Sequence, residues 1–279
     1  MTYKTIVVHL HDASRIEHVL EHAVELAGRF GAHLIGLHAS PGLVYAPPFP
    51  GGGRVVGRVQ EYERKLTEHI TKTFELMTKG RAFVAELRLL RSRDADDLGA
   101  LVLQHSRACD LIVAGQREGL WEMSRILDFP ERLVMESGRP LLVVPLAGQS
   151  SNAIHHVMIA WNGKREAARA TFDALPMLKA AKRVTVLAIE QTDTDGISAA
   201  LPDTSIAAAL ARHDIDVTIK TASADKASVG EAIAKAVGKE RVDLLVMGAY
   251  GHARLREFVF GGATHHLMQK MPVPVLLSH

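Results

Sequence analysis

Cysteine occurs once in the 279 residues, at Cys109. No internal disulfide can form, which fits a reducing compartment. Beside the apolar run Leu111 to Ala114, a lone thiol reads as a small core residue. Charge of one sign is also lacking. Lys and Arg number 33 against 31 Asp and Glu, a formal net charge of +2, and the two signs are mixed throughout. Neither a nucleic acid nor a membrane surface is therefore an expected partner. No apolar run approaches the ~20 residues of a membrane helix. The opening "MTYKTIVVHLHD" has no apolar h-region and no small-residue cleavage site. A soluble, cytoplasmic protein is expected, and a 47% hydrophobic content suffices for a core.

Catalytic signatures are absent as well: no GxSxG, no HExxH and no Cys–His arrangement. There is no GxxxxGK[ST] loop, and no GxGxxG follows the first strand. The 15 histidines do not form a metal set. His9 and His11 share a strand face, while His155–His156 and His265–His266 are adjacent residues that point differently. No acidic or Cys partner stands at zinc spacing, so no dedicated metal site is expected. Asp94, Asp96 and Asp97 precede a helix and suit its dipole.

What is present is a repeat. Short, mostly apolar runs occur at Thr5–Leu10, His33–Ala39, Phe83–Leu90, Asp110–Gly115 and Pro140–Pro145. Such runs suit strands buried on both faces of a parallel sheet. Between the first two, Ile16, Val19, Leu20, Ala23, Val24, Ala27 and Phe30 form one helical face, closed by Gly31. The series restarts at His156–Trp161, Val184–Glu190, Asp216–Ala222, Asp243–Gly248 and Pro274–His279, and Ala167 to Leu178 supply the matching helical face. "CDLIVAG" matches "VDLLVMG", and "RPLLVVP" matches "VPVLLSH". Two copies of one βαβ-type unit are predicted, residues 1–147 and 153–279, joined by the small polar linker Ala147–Ala153. The Pro- and Gly-rich stretch Ser40–Gly57 reads as an insertion loop. The closing strands Pro140–Pro145 and Pro274–His279 are expected to pair, making the two copies an intramolecular pseudo-dimer, with a homodimer of chains as a further option.

The stretch "GAYGHARLREFVFGG" leaves the carboxyl end of the copy's fourth strand, where open parallel sheets take ligands. Gly248 and Gly251 let backbone N–H groups approach a ligand. Gly261 and Gly262 open the helix "GATHHLMQKM", whose N-terminus suits phosphate, with Thr264 as an added hydroxyl donor. His252 and Arg254 are placed for phosphate contact or for solvent. The alternative reading is glycines for turns and helix packing alone.

The spacing Gly-x2-Gly-x9-Gly of Gly248, Gly251 and Gly261 resembles the nucleotide loop of the universal stress protein family, where Ser or Thr usually follows the last glycine. "DLLVMGAYGH", "MPVPVLLSH" and "IAWNGKREAARA" also resemble that family, and both copies are covered. The resemblance implies two tandem, doubly wound, five-stranded parallel α/β domains of the adenine nucleotide alpha hydrolase-like type. It implies ATP or a related adenine nucleotide as ligand, and a regulatory stress-response role with at most slow ATP hydrolysis. Two departures stand out. Gly262 replaces the usual Ser or Thr, and Asn162 stands where an Asp commonly meets the nucleotide. By the same analogy Met247 flanks the base, and a core role fits it equally.

In the first copy Glu118 falls at the place of Gly251, and Asp128 near that of Gly261. "DFPE" reads as a helix start capped by Asp128 and Glu131, with carboxylates where phosphate would sit. Binding is thus expected in the second copy only. The rival readings are a nucleotide-free scaffold for an unknown protein partner, or a nucleotide-dependent hydrolase or transferase.

Overall fold

The computed structural model describes residues 2–42, 52–92, 98–117, 130–146, 154–190, 204–223, 228–250 and 262–279. Strands and helices alternate except where two strands (Leu141–Val144 and His156–Trp161) and two helices (Arg165–Asp173 and Leu175–Ala180) are consecutive, and the chain divides into two compact units, Tyr3–Arg139 and one built on Pro140–His279. Among the described residues, no helix is long and apolar enough to cross a membrane.

The first unit contains β1 (Thr5–His9), α1 (Ile16–Phe30), β2 (His33–Pro41), α2 (Gly52–Thr78), β3 (Ala85–Ser92), α3 (Leu98–Ser106), β4 (Leu111–Gly115) and α4 (Glu131–Glu136). Its strands lie in the order β3-β2-β1-β4, all parallel. Ile6, Val7 and Val8 of the central strand are buried on both faces, as an apolar run without alternation requires. The α1 face of Val19, Leu20, Ala23, Val24 and Ala27 is buried, and Gly31 ends the helix at φ +61°. Gly36 is needed for packing, since a Cβ there would lie 2.6 Å from the Phe74 ring of α2. The stretch expected as a loop to Gly57 is shorter. Gly52–Gly57 already belongs to α2, where the helix continues over glycines that by themselves disfavour it. Residues 43–51 lie outside the described ones.

The second unit contains β5 (Leu141–Val144), β6 (His156–Trp161), α5 (Arg165–Asp173), α6 (Leu175–Ala180), β7 (Arg183–Glu190), α7 (Thr204–Ala211), β8 (Val217–Ser223), α8 (Val229–Glu240), β9 (Leu244–Gly248), α9 (Gly262–Gln269) and β10 (Val275–Ser278). The order is β5-β10-β9-β6-β7-β8. β5 runs antiparallel to β10, with Val143 opposite Val275 and Leu141 opposite Leu277, so the two closing strands pair as expected. The helical face predicted from Ala167 to Leu178 is split. α5 ends at Asp173 and α6 starts with Pro176 in its first turn, where the missing N–H costs a helix nothing.

One polar device repeats in both units. Asp110 Oδ2 accepts from the backbone N–H groups of Lys4 (2.7 Å) and Thr5 (2.9 Å). Asp243 Oδ2 accepts from His155 (2.9 Å) and His156 (2.8 Å) in the same way. Each carboxylate fastens the start of its unit's central strand to the strand beside it. The sheet register agrees, with Ile6 opposite Leu111 and Val157 opposite Leu244. Counted from these clamps, Gly115 matches Gly248, His9 matches Ala160 and His11 matches Asn162.

Candidate functional site

In the second unit the chain runs outward from β6 through β7 to β8, then returns to β9 and β10 on the other side. The order therefore reverses between β6 and β9, the place where such sheets form a ligand crevice beyond the strands' carboxyl ends. Asn162 follows β6 directly and Gly248 ends β9. A Cβ on Gly248 would lie 2.6 Å from Ala167 N and 2.6 Å from Glu166 C, so no side chain fits at that exit. Met247 is buried and sits in register with Ala160 and Leu277, a core position.

Asn162 has a local duty. Its Oδ1 accepts from Lys164 N at 3.1 Å, an Asx turn that Gly163 completes at φ +69°. Its amide N–H groups remain as donors toward a ligand. Tyr250 leaves the strand end with φ +56°. Its N–H donates to Thr264 Oγ1 at 3.5 Å, and Thr264 is buried. The Thr264 oxygen thus ties the exit of β9 to the first turn of α9, and a hydroxyl that accepts one bond can also donate another. Gly262 is the first residue of α9, and a Cβ there would meet open space. Gly251, His252, Arg254 and Gly261 lie outside the described residues. The structure therefore brings Asn162, Met247 and Gly248 to one end of the sheet and joins Thr264 to it through Tyr250.

Glu166 is the residue that sequence reasoning missed. It is buried beside Gly248 and bonds Arg165 Nε at 2.5 Å. Burial acts to raise its carboxyl pKa, but the Arg165 and backbone hydrogen bonds and the nearby His279 hold it below the ordinary value. An acid in a helix's first turn signals only a favourable dipole, so its burial had no sequence mark.

At the matching place in the first unit, a small crevice is lined by His9, Leu10, His11, Asp12, Arg15, Ile16, Val19 and Gly115. Arg15 crosses it. Its Nη1 donates to Gln116 O at 2.8 Å, beyond β4, and its Nε lies 3.9 Å from Asp12 Oδ2, beyond β1. The guanidinium lies where a Gly115 Cβ would be, 2.5 Å from Nη2. α4 begins at Glu131 with Pro130 as its N-cap, so the start expected at Asp128 falls before the described helix. Asp128 and Glu118 lie outside the described residues.

Comparison with known proteins gives a consistent result. The universal stress protein family model matches residues 2–145 and again residues 153–279. Universal stress protein Slr1230 of Synechocystis is 28% identical over 148 residues, which is 52% of this chain and 49% of that protein. The match thus spans about half the length of that relative. A universal stress protein structure from Archaeoglobus fulgidus aligns over 98% of this chain and 95% of its own, with TM-score 0.67 and 15% identity. Protein PA1789 of Pseudomonas aeruginosa aligns over 99% and 92%, with TM-score 0.58 and 13% identity. At these identities the two structures speak for the fold alone, an α/β architecture shared along the whole chain. With two family matches covering both repeats, the chain belongs to the universal stress protein family as a tandem member.

Proposed function

We propose that this chain binds ATP or a closely related adenine nucleotide in its second repeat, and that it acts as a cytoplasmic stress-response regulator with at most slow hydrolysis. The observation that carries this reading is the reversal of strand order between β6 and β9, which brings Asn162 and the exit of β9 to the place where such sheets take ligands. The Cβ site of Gly248 itself is filled by α5, so that glycine serves strand–helix packing. The glycine spacing that follows and the family membership support the same ligand. The N-terminus of α9 supplies positive potential for phosphate, and the Asn162 amide supplies a neutral donor in place of a carboxylate.

Calorimetric titration of ATP into the intact protein tests the reading. One nucleotide per chain is expected, with amide protection over residues 248–264 and none over residues 115–131. Gly261→Asp, which adds a carboxylate at the phosphate seat, should remove binding without changing the circular dichroism spectrum. Gly262→Ser restores the family's hydroxyl at a position with open space. It should tighten binding about threefold to tenfold, the worth of one hydrogen bond. Two equivalent sites, or no heat with ATP at millimolar protein and ligand, would overturn the assignment and leave the nucleotide-free scaffold.

A further inference from the structure

The first unit's crevice holds two histidines at positions that are Ala160 and Asn162 in the second. The rings of His9 and His11 stack with centroids 4.7 Å apart and planes 14° from parallel. His9 is buried, and His11 Nδ1 is buried without a hydrogen-bond partner among the described residues. His38 approaches from β2, its Nδ1 bonded to Leu10 O at 2.8 Å and its Nε2 3.4 Å from Thr67 Oγ1 of α2. Arg15 reaches in from the start of α1, and Asp12 stands at the turn. Counted from the Asp110 and Asp243 clamps, the second unit has Ala160 and Asn162 at the two histidine positions, neither of which titrates near neutrality.

We propose that the His9–His11 stack and Arg15 form an acid-operated latch across the exits of β1 and β4. While both rings are neutral, they pack against each other and tolerate the guanidinium beside them. A proton on either ring places a second cation in a crevice already crossed by Arg15, with Asp12 as the nearest acid. The guanidinium then leaves Gln116 O, and the end of the crevice opens.

The titration supports this geometry. Burial lowers the His9 pKa well below the usual value, and His11 and His38 add to the effect. Burial also lowers His11, to about 4; Asp12 opposes this, while Arg15 and His38 reinforce it. Burial lowers His38 too, opposed by its bond to Leu10 O. An unfolded chain takes up these protons near pH ~6.5. Between there and about pH 4 the unfolded state binds more protons than the folded one. The stability that keeping these histidines neutral contributes is therefore complete above pH ~6.5 and is lost as pH falls toward 4.

Proton NMR of the intact chain tests the latch. The His11 C2–H should titrate near 4, and the Arg15 Nε–H signal should collapse over the same range. His11→Phe keeps a ring in the stack but takes no proton, so the Arg15 signal should persist to lower pH. Amides at the ends of β6 and β9 should not respond. A His11 titration near the unshifted ~6.5, or an Arg15 collapse unchanged in His11→Phe, would overturn the proposal. If that variant does not fold, the titration of the unaltered chain decides alone.

Discussion

Adding one methyl group distinguishes the two exit glycines. At Gly248 it would meet backbone atoms of α5, Ala167 N and Glu166 C, both at 2.6 Å. Backbone in a packed helix cannot step aside, so Gly248→Ala should cost about 1–3 kcal/mol, the range for overpacking. At Gly115 the nearest atom is Nη2 at the tip of Arg15, which can swing away, and the next is Val19 Cγ2 at 3.3 Å. Gly115→Ala should then cost less stability while freeing Gln116 O from Arg15. Paired urea titrations compare the two; an equal loss, or a larger one at Gly115, would contradict this account. The same contrast marks the limit of sequence reading at single positions. Both glycines end matching apolar strands in "DLIVAG" and "DLLVMG". What each one faces depends on a helix some 80 to 100 residues away in the chain, and on whether its backbone or a side-chain tip arrives first.

At the level of strands and helices, the paired clamps carry the clearest consequence. Asp243→Ala removes a carboxylate that accepts two backbone N–H bonds at the start of β6. Hydrogen bonds to charged groups are worth about 1.5–3 kcal/mol. Because these sites are only partly buried, a loss of about 2 kcal/mol is expected for Asp243→Ala, and a like loss for Asp110→Ala. Asp243→Asn, which keeps one carbonyl acceptor, should lose less. Denaturant unfolding that finds less than about 0.5 kcal/mol for both alanine variants would remove the clamp from the account. The strands were legible because apolar runs such as Ile6–Val8 and Leu244–Val246 have no rival reading in a chain with turn signals on either side. The face of α1 was legible for the same reason. The break between α5 and α6 at Pro176 was written in the residue itself but masked by the continuous apolar spacing. The clamps were not legible, since an Asp before a strand is also an ordinary turn residue. Neither was the Arg15 crossing, because an arginine near a helix start resembles any solvated cation.

For the whole molecule, the pairing of β5 with β10 decides how pieces behave. Val275, Leu276 and Leu277 are buried, and β10 receives β5 along one edge. A fragment of residues 153–279 would present that edge bare, and an unpaired apolar edge recruits another strand. Such a fragment should dimerise or aggregate with rising concentration in analytical ultracentrifugation. A monomeric, freely soluble fragment would show that β10 does not need its neighbour. In the intact protein the partner strand is part of the same molecule, joined by a short link. Tethering of this kind gives an effective concentration of roughly a millimolar, which no dilution of the protein can lower. A separate strand would leave β10 whenever its concentration fell below the dissociation constant. In the unbroken chain the β5–β10 pair is kept at any dilution.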